Sequence, residues 1–335
     1  MADTATTHPP APARSTARPD LRVLLTRHGA WVALALLILF NLAVTPNFAT
    51  WQTLNVNLTQ VCAIVIVGVG MTLVIATGGI DLSVGSLMAI AGALAPLIFM
   101  GKLFPLPHPY VGIALAFVVP VLVAGAFGWF NGFLITRLRI QPIIATLVLF
   151  IAGRGIAQVM TNGNLQVFKV PEFQYIGLGR LFGVPFQALL MIVIVLAAAW
   201  MLRRTVFGRQ ILAVGGNERA ARLAGIPVVS VKRRVYLISG LLSGIAGLIV
   251  IARNSAADAN LVGLGMELDA IAAVAVGGTL LTGGRATIIG TLVGALIIQL
   301  VRYTLLANGV PDAAALIAKA AIIVLAVWLQ RQARS

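Results

Sequence analysis

The chain has 335 residues, of which 60% are hydrophobic and only 10% are charged. This composition excludes a water-soluble protein, and several apolar stretches reach the roughly 20 residues that a helix needs to cross a ~30 Å hydrocarbon core. The formal charge of +15 does not indicate nucleic acid, because the basic residues are spread through short loops between apolar segments. We therefore predict an all-α, polytopic helical membrane protein rather than a barrel of alternating strands.

The N-terminal 28 residues are rich in Ala, Pro, Thr and Arg and lack apolar periodicity, which predicts a disordered cytoplasmic tail, residues 1–28. Basic residues before the short apolar run 30–44 are also typical of a signal peptide. We favour a retained first helix, because the tail is long, no Ala-x-Ala site follows, and residues 46–48 resemble a loop.

About ten transmembrane helices are predicted within a permease domain, residues 29–330. The predicted spans are 30–44, 55–76, 82–100, 110–136, 142–160, 186–202, 231–251, 267–281, 287–306 and 313–329. Residues 161–185 are too polar to span, and residues 205–230 form the longest polar connection. The short segment 267–281 begins with two acidic residues, which indicates a partial or broken helix.

The distribution of Lys and Arg predicts the orientation of the chain in the membrane. If the N-terminus is cytoplasmic, most of the 24 basic residues fall on the cytoplasmic side, and the opposite orientation would invert this ratio. An even number of crossings then returns residues 331–335 to the cytoplasm. We predict a multi-pass protein of the plasma (inner) membrane with both termini cytoplasmic.

A polar stretch interrupts the apolar sequence after the second predicted span. It reads Thr77-Gly-Gly-Ile-Asp-Leu-Ser-Val-Gly-Ser86. Irregular backbone at membrane depth is tolerated only against protein or a water-filled cavity, and broken helices often line transport pathways. Small residues also allow close helix packing, so a pathway and a packing site are equally supported by the local sequence. Its carboxylate, Asp81, is expected either to cap the following helix or to contact a solute, and we favour the cap.

No catalytic residue, metal site or cofactor is predicted. The only Gly-Lys pair, Gly101-Lys102, has Pro96 where a Walker A motif needs its first glycine. The single cysteine and three histidines are scattered, and the nine acidic residues form no catalytic pair. A membrane-embedded enzyme is therefore the weakest interpretation.

Residues 209–229 have the pattern of a short helix with marked ends. Asn217 is a typical N-cap, and Gly225 is a typical helix stop. A compact amphipathic helix parallel to the membrane can fit a groove on a partner. An ordinary solvated interfacial helix fits the same pattern.

Several motifs occur together in one order. They are Val69-Gly-Met-Thr-Leu-Val-Ile-Ala-Thr-Gly-Gly-Ile-Asp-Leu-Ser-Val-Gly-Ser86, Asn131-Gly, Pro142-Ile-Ile-Ala-Thr146, Thr161-Asn-Gly163, Ala213-Val-Gly-Gly-Asn-Glu-Arg-Ala-Ala-Arg-Leu-Ala-Gly-Ile226 and Glu267-Leu-Asp-Ala-Ile-Ala-Ala-Val-Ala-Val-Gly-Gly278. In these motifs, and over nearly all of residues 30–330, the chain resembles the ribose/xylose/arabinose/galactoside branch of ABC sugar importer permeases. Residues 312–315 depart from the family pattern, which leaves the outer end of the last span outside the resemblance.

The resemblance implies a permease subunit that pairs with a second copy or a related permease and imports a small carbohydrate. Its other partners would be a cytoplasmic ABC ATPase, which alone binds ATP, an extracytoplasmic sugar-binding protein, and membrane lipid, with no nucleic acid. The implied ATPase-coupling loop is the cytoplasmic segment 205–230, and its coupling residues are Gly216, Asn217, Glu218, Ala220, Ala221 and Gly225. The implied translocation pathway or helix break comprises Gly78, Gly79, Asp81, Ser83, Glu267 and Asp269.

Two alternatives remain open at the level of sequence. An ion-gradient-driven secondary transporter would use Asp81, Glu267 or Asp269 as its coupling site, since a charge in a span costs at least ~2.5 kcal/mol unless it is paired or hydrated. A permease for branched-chain amino acids or another small solute is the second alternative, against which the sugar-type motif at residues 77–86 argues.

Overall fold

The computed structural model describes residues 21–103 and 108–311, together with residues 313, 314, 316, 317, 320, 321 and 324. Residues 21–103 and 108–311 form twelve helices and four two-residue strands. The helices are α1 (Leu21–Val44), α2 (Trp51–Ala76), α3 (Val84–Phe99), α4 (Pro109–Arg137), α5 (Pro142–Thr161), α6 (Pro171–Leu178), α7 (Phe186–Arg204), α8 (Val206–Gly216), α9 (Glu218–Leu223), α10 (Val228–Asn254), α11 (Met266–Val276) and α12 (Ile288–Ala307). The strands are β1 (Gln166–Val167), β2 (Arg180–Leu181), β3 (Val184–Pro185) and β4 (Ala256–Ala257).

Six helices, α2, α4, α5, α7, α10 and α12, are long and apolar enough to cross a membrane. Helix α3 and the part of α1 from Gly29 to Val44 are shorter apolar helices, and α11 has only 11 residues. The prediction of an all-helical polytopic membrane protein is confirmed, and each of the first nine predicted spans corresponds to one of these helices. The tenth, residues 313–329, lies largely outside the described residues.

The predicted tail is shorter than the sequence pattern indicated. Helix α1 begins at Leu21, so the prediction of disorder is wrong for residues 21–28. This segment contains leucines and arginines, which are good helix formers, and no proline separates it from the apolar span. Residues 1–20 lie outside the described residues.

Short elements lie at the two ends of the helical bundle. At one end β1 pairs antiparallel with β4, and β2 pairs with β3 in a hairpin between α6 and α7. Helices α8 and α9 lie at the other end, between α7 and α10. Because successive long helices run in opposite directions, these two groups face opposite sides of the membrane. Residues 161–185 do not span, as predicted.

Helix α2 is the central helix of the bundle. Its sequence is apolar on all sides and contains glycines, and a helix of this kind is stable only when other helices surround it. It packs against α7, α10, α11 and α12, and 83% of its most apolar window is buried. The chain on either side of the C-terminal end of α2 is therefore fixed by several neighbours.

Glycines in Gly-x-x-x-Gly spacing form close contacts on two helices, at positions 240 and 244 and at positions 290 and 294. A Cβ atom added to Gly240 of α10 would lie 2.4 Å from the Ala124 carbonyl oxygen, and one added to Gly244 would lie 2.9 Å from Val121 Cα. Gly290 and Gly294 make equally close contacts between α12 and the end of α11. Glycine spacing therefore sets the distance between backbones at the α4–α10 and α11–α12 contacts.

Candidate functional site

Two breaks interrupt the helices beside the centre of the bundle. The first break, residues 77–83, separates α2 from α3, and the second, residues 277–287, separates α11 from α12. Gly78 has φ +79° and Gly278 has φ +82°, a backbone conformation that favours glycine. The prediction of a broken helix at residues 77–86 and of a short, partial helix from residue 267 is confirmed.

Asp81 closes the first break with side-chain hydrogen bonds. Its Oδ1 accepts from the Ser83 amide at 3.0 Å and from Ser83 Oγ at 2.6 Å, and its Oδ2 accepts from Ser239 Oγ of α10 at 2.8 Å. Asn131 Nδ2 of α4 donates to Ser83 Oγ at 2.9 Å. All four side chains are buried. The bond to the Ser83 amide is a local turn just before α3, and the N-cap position itself is Ser83, which makes no side-chain capping bond. Asp81 therefore does not cap α3 in the predicted way but fixes the turn that leads into it.

Two more of the predicted pathway residues, Gly79 and Glu267, lie near the start of α3. A Cβ on Gly79 would come within 2.5 Å of the Tyr236 hydroxyl, and a Cβ on Gly85 within 2.6 Å of Glu267 Oε2. Glu267 is buried and Asp269 is half-buried, both in the first turn of α11, where a carboxylate is stabilised by the helix dipole. Glu267 therefore lies beside Gly85 in the first turn of α3, four residues after Asp81 in the chain, a contact that neither sequence spacing nor composition predicts.

Arg154, an arginine within α5, is held by the loop that precedes α11. Its Nη1 donates to the carbonyl oxygens of Ala259 and Val262 at 2.8 and 2.6 Å. Glu267 is close enough to act on the guanidinium electrostatically. The charge inside this span is thus compensated by carbonyl oxygens and a nearby carboxylate.

The predicted coupling segment forms α8 and α9. Asn217 Oδ1 accepts from the Ala220 amide at 2.9 Å, which is the predicted N-cap, and Gly225 follows the helix with φ +77°, which is the predicted stop. Gly216 and Ala220 are exposed, whereas Ala221 is buried against the protein. The segment thus has one face on the bundle and one face open to a partner.

Glu218 ties α9 to α10. Its Oε2 lies 2.6 Å from Lys232 Nζ and its Oε1 lies 3.0 Å from Arg222 Nη2. The hydrogen bond from Lys232, followed by the charges of Lys232 and Arg222, lowers the pKa of Glu218 against the opposing effect of partial burial. The carboxylate is therefore ionised at neutral pH and holds the short helix against the start of α10.

Sequence reasoning missed the contact between this segment and the two breaks. A Cβ on Gly215 of α8 would lie 1.8 Å from the Ala76 carbonyl oxygen, at the end of α2, and 2.6 Å from the Gly284 amide. That amide itself donates to Ala76 O at 3.0 Å. We call this three-way backbone contact of Ala76, Gly215 and Gly284 the glycine junction. The sequence carries a signal for it, because Thr-Gly-Gly occurs both at residues 77–79 and at residues 282–284.

The glycine junction joins one point on the predicted coupling segment to both breaks. Gly283 lies in the same contact, since a Cβ there would be 2.9 Å from the Gly78 amide nitrogen. Movement of the end of α8 towards these segments would therefore displace the backbone at the end of α2 or in the second break.

Comparison with known proteins identifies the family. The family model described as branched-chain amino acid transport system / permease component matches residues 54–327. The ribose import permease protein RbsC of Escherichia coli K12 is 44% identical over 90% of this chain and 92% of its own. The galactofuranose transporter permease protein YtfT of the same strain is 40% identical over 90% and 88%. The L-arabinose ABC transporter permease protein AraH of Azospirillum brasilense is 36% identical over 97% and 93%. The chain therefore belongs to this permease family, as a transmembrane transport component and not an enzyme.

Proposed function

We propose that this chain is the membrane-spanning permease subunit of an ATP-binding-cassette importer that carries a monosaccharide or similar small carbohydrate into the cytoplasm. The observation that carries the proposal is the similarity, over at least 90% of the chain, to permeases whose names specify ribose, galactofuranose and L-arabinose. The family description names branched-chain amino acids instead. We favour a sugar because three different sugars recur among relatives that are 36–44% identical.

We infer three protein partners: a cytoplasmic ABC ATPase, an extracytoplasmic sugar-binding protein, and a second copy of this chain or a related permease. The sequence supports the first inference, because it contains no Walker A motif of its own. The third rests on the resemblance to paired permeases. Helix α5, of whose most apolar window only 28% is buried, exposes a row of large apolar side chains that can face either a second permease or lipid. The cytoplasmic placement of both termini follows from the positive-inside distribution of Lys and Arg.

Gly216, Asn217, Glu218, Ala220, Ala221 and Gly225 are proposed to form the element that the ATPase moves. An exposed helix capped by Asn217 and tied by Glu218 to Lys232 is rigid enough to transmit a displacement. The glycine junction supplies the route from this helix to the two breaks. The two breaks are proposed to lie beside the translocation pathway and to reshape it. The first break contributes Gly78, Gly79, Asp81 and Ser83, and the first turn of α11 contributes Glu267 and Asp269.

Uptake by the reconstituted complex tests the proposal. The permease is placed in liposomes with a cognate ABC ATPase and sugar-binding protein, and entry of radiolabelled ribose, L-arabinose, galactose and leucine is measured with and without internal ATP. We expect ATP-dependent entry of a sugar. Entry of leucine alone would overturn the choice of solute, and uphill entry driven by a proton or sodium gradient without the ATPase would overturn the transporter class.

A double variant, Asn217→Ala with Glu218→Gln, tests the coupling segment. We expect ATP hydrolysis by the complex to persist while sugar uptake falls, because the cap and the anchor of α9 are both lost. The control is Asn164→Ala with Glu172→Gln, which changes the same residue types at the opposite end of the bundle. Unchanged uptake in the first variant, or an equal loss in both, would remove α9 from the mechanism.

A further inference from the structure

A cavity of about 540 Å³ opens on the surface where α4, α9 and α10 meet. Its wall includes Trp129 of α4, Arg222 of α9, and Arg233, Arg234 and Leu237 of α10. We call it the α4–α10 groove. It lies at the same end of the bundle as α8 and α9, where the long helices leave the membrane.

The charge of this groove is unbalanced. Arg222 pairs with Glu218, and the same carboxylate also pairs with Lys232. Within the described residues, no carboxylate lies within 4.0 Å of Arg233 or Arg234. One glutamate therefore faces four basic side chains, and the groove has a net positive charge that fits an anion.

Arg233 is held in position before any ligand arrives. A Cβ on Gly132 would lie 2.8 Å from Arg233 Cα, so the missing side chain lets α10 pack directly on α4. The Arg233 guanidinium then lies 5.7 Å from the ring centroid of Trp129 and 5.3 Å from that of Phe133, and its Nε donates to Thr136 Oγ1 at 2.9 Å. These contacts use the plane of the guanidinium and its Nε, so the two Nη groups remain available to a ligand. Because the side chain is already held in place, it loses less conformational entropy when a ligand binds.

An apolar stripe continues from the groove along α4 towards the membrane centre. Val118, Leu122, Ala126 and Trp129 are exposed and lie on one face of the helix at spacings of four, four and three residues. Leu237, half-buried on α10, borders the same stripe. A ligand that fills the groove and follows this stripe would have an anionic head and a hydrocarbon tail.

We propose that the α4–α10 groove binds an anionic phospholipid of the inner leaflet. The Nη groups of Arg233 and the guanidinium of Arg234 bind the headgroup phosphate, for which the planar fork of arginine is well suited. One acyl chain lies along the stripe from Trp129 to Val118. Basic pockets between transmembrane helices on the cytoplasmic side commonly bind lipid headgroups in this way. Because Arg222 links the groove to α9, the lipid would stabilise the inferred coupling helix in its observed position.

Lipid binding to the purified chain in detergent tests this proposal without any transport assay, so its failure would be distinct from failure of the sugar-import proposal. Dioleoyl-phosphatidylglycerol and dioleoyl-phosphatidylcholine are titrated separately, and bound lipid is counted by native mass spectrometry. We expect one phosphatidylglycerol to be retained in preference to phosphatidylcholine. The variant Arg233→Gln with Arg234→Gln should weaken this binding roughly thirtyfold, given the usual contribution of each basic residue near an anionic surface.

Matched variants separate a specific site from general positive charge. Arg203→Gln with Arg204→Gln removes the same charge at the end of α7, outside the groove. A second groove variant, Trp129→Ala, removes the tryptophan of the apolar stripe, and its control is Trp200→Ala, which removes an exposed tryptophan of α7. Only the groove variants should lose binding. The single variant Arg234→Gln, whose side chain is exposed, provides a test if the double variant does not fold.

Three results would overturn the proposal. Equal retention of both lipids would mean that the headgroup is not recognised. Equal loss in the α7 control pair would mean that only total charge matters. Displacement of bound lipid by millimolar inorganic phosphate alone, or by the purified ATPase, would mean that the groove belongs to a free anion or to the protein partner.

Discussion

The two helix breaks hold irregular backbone inside the bundle by different means. In the first break, Asp81 and Ser83 bond to each other and to side chains of α4 and α10. In the second break, Thr287 Oγ1 donates to the Gly277 carbonyl at 3.0 Å and the Thr287 amide donates to Thr279 Oγ1 at 3.1 Å. These side-chain bonds stay within the segment itself, and the Gly284 amide adds a backbone hydrogen bond to Ala76 of α2.

This difference indicates which break can move. The first is anchored to two neighbouring helices by buried side chains, which makes its displacement costly. The second contacts α2 and α8 through backbone at the glycine junction, where Gly283 and Gly284 both have positive φ. We therefore expect the coupling segment to shift the second break against a fixed first break.

The largest expected effect comes from a side chain inserted at the glycine junction. Gly215→Ala would place a Cβ 1.8 Å from Ala76 O, and the clash is with backbone, which cannot rotate away. Overpacking of this kind costs about 3 kcal/mol at the upper end of its usual range. We expect the variant to lose at least about tenfold in uptake per folded molecule, measured in the reconstituted complex.

Gly29→Ala is the matched control, because a Cβ there meets nothing within 4 Å. It adds the same methyl group to a helical glycine of α1, outside the coupling segment and the breaks, and uptake should stay within about twofold of the wild type. Equal effects of the two alanines would show that the junction does not carry the coupling.

The next effect comes from removing the anchor of the first break. Asp81→Ala leaves the Ser83 amide and the hydroxyls of Ser83 and Ser239 without their acceptor in a buried site. We expect a loss of about 2 kcal/mol in the free energy of unfolding, since an unsatisfied buried group costs about 1–3 kcal/mol. Asp81→Asn keeps one acceptor oxygen and should cost less than half as much.

The single cysteine provides the measurement for Asp81. Cys62 is buried in the middle of α2, so its reaction with a maleimide dye reports unfolding as the temperature rises. A Cys62 reaction curve unchanged by Asp81→Ala would show that the first break is held by packing alone, and the proposed contrast between the breaks would be lost.

A smaller effect is expected in the second break. Thr287→Val removes the hydroxyl that donates to Gly277 O but keeps the shape of the side chain. The cost in stability should be about 1 kcal/mol, the usual net contribution of one hydrogen bond. Because this break is expected to be the mobile one, Thr287→Val should lower uptake clearly while it shifts the Cys62 melting curve only slightly. Asp81→Asn should do the reverse, with a clear shift of the melting curve and a smaller loss of uptake.

Sequence patterns were sufficient for the elements that obey local rules. Residue type and spacing predicted the apolar spans, the break between α2 and α3, the Asn217 cap and the Gly225 stop. Each of these features depends on neighbours within a few residues. The start of α1 was placed too late, since Arg22, Arg27 and Gly29 interrupt the apolar pattern there, although the leucines and arginines of residues 21–28 are good helix formers.

Contacts between distant segments could not be predicted in the same way. Nothing in the local sequence pairs Asp81 with Ser239, Arg154 with the 258–262 loop, or Gly215 with Ala76, because each contact depends on how whole helices pack. The proposed roles of Glu267 and Asp269 rest on the resemblance to sugar permeases, and their positions in the first turn of α11 are equally suited to helix stabilisation.

The smallest expected effect concerns the link between α9 and α10. Because α10 also anchors the first break through Ser239, the ion pair of Glu218 with Lys232 ties the coupling helix to the fixed part of the bundle. The Glu218 side chain is 43% exposed, so solvent screens the pair and Glu218→Gln should cost less than about 1 kcal/mol.

The direction of the pH dependence follows from the lowered pKa of Glu218. The folded state favours the ionised carboxylate, so the stabilisation is fully present above the ordinary glutamate pKa of about 4.3 and is lost as the pH falls below it. Melting curves between about pH 7 and pH 3.5 should therefore show a smaller loss of stability in Glu218→Gln than in wild type, while Glu172→Gln at the opposite end should match the wild type. If acid destabilises Glu218→Gln as much as the wild type, then α9 is held by the packing of Ala221 rather than by charge, and the coupling helix can move independently of the first break.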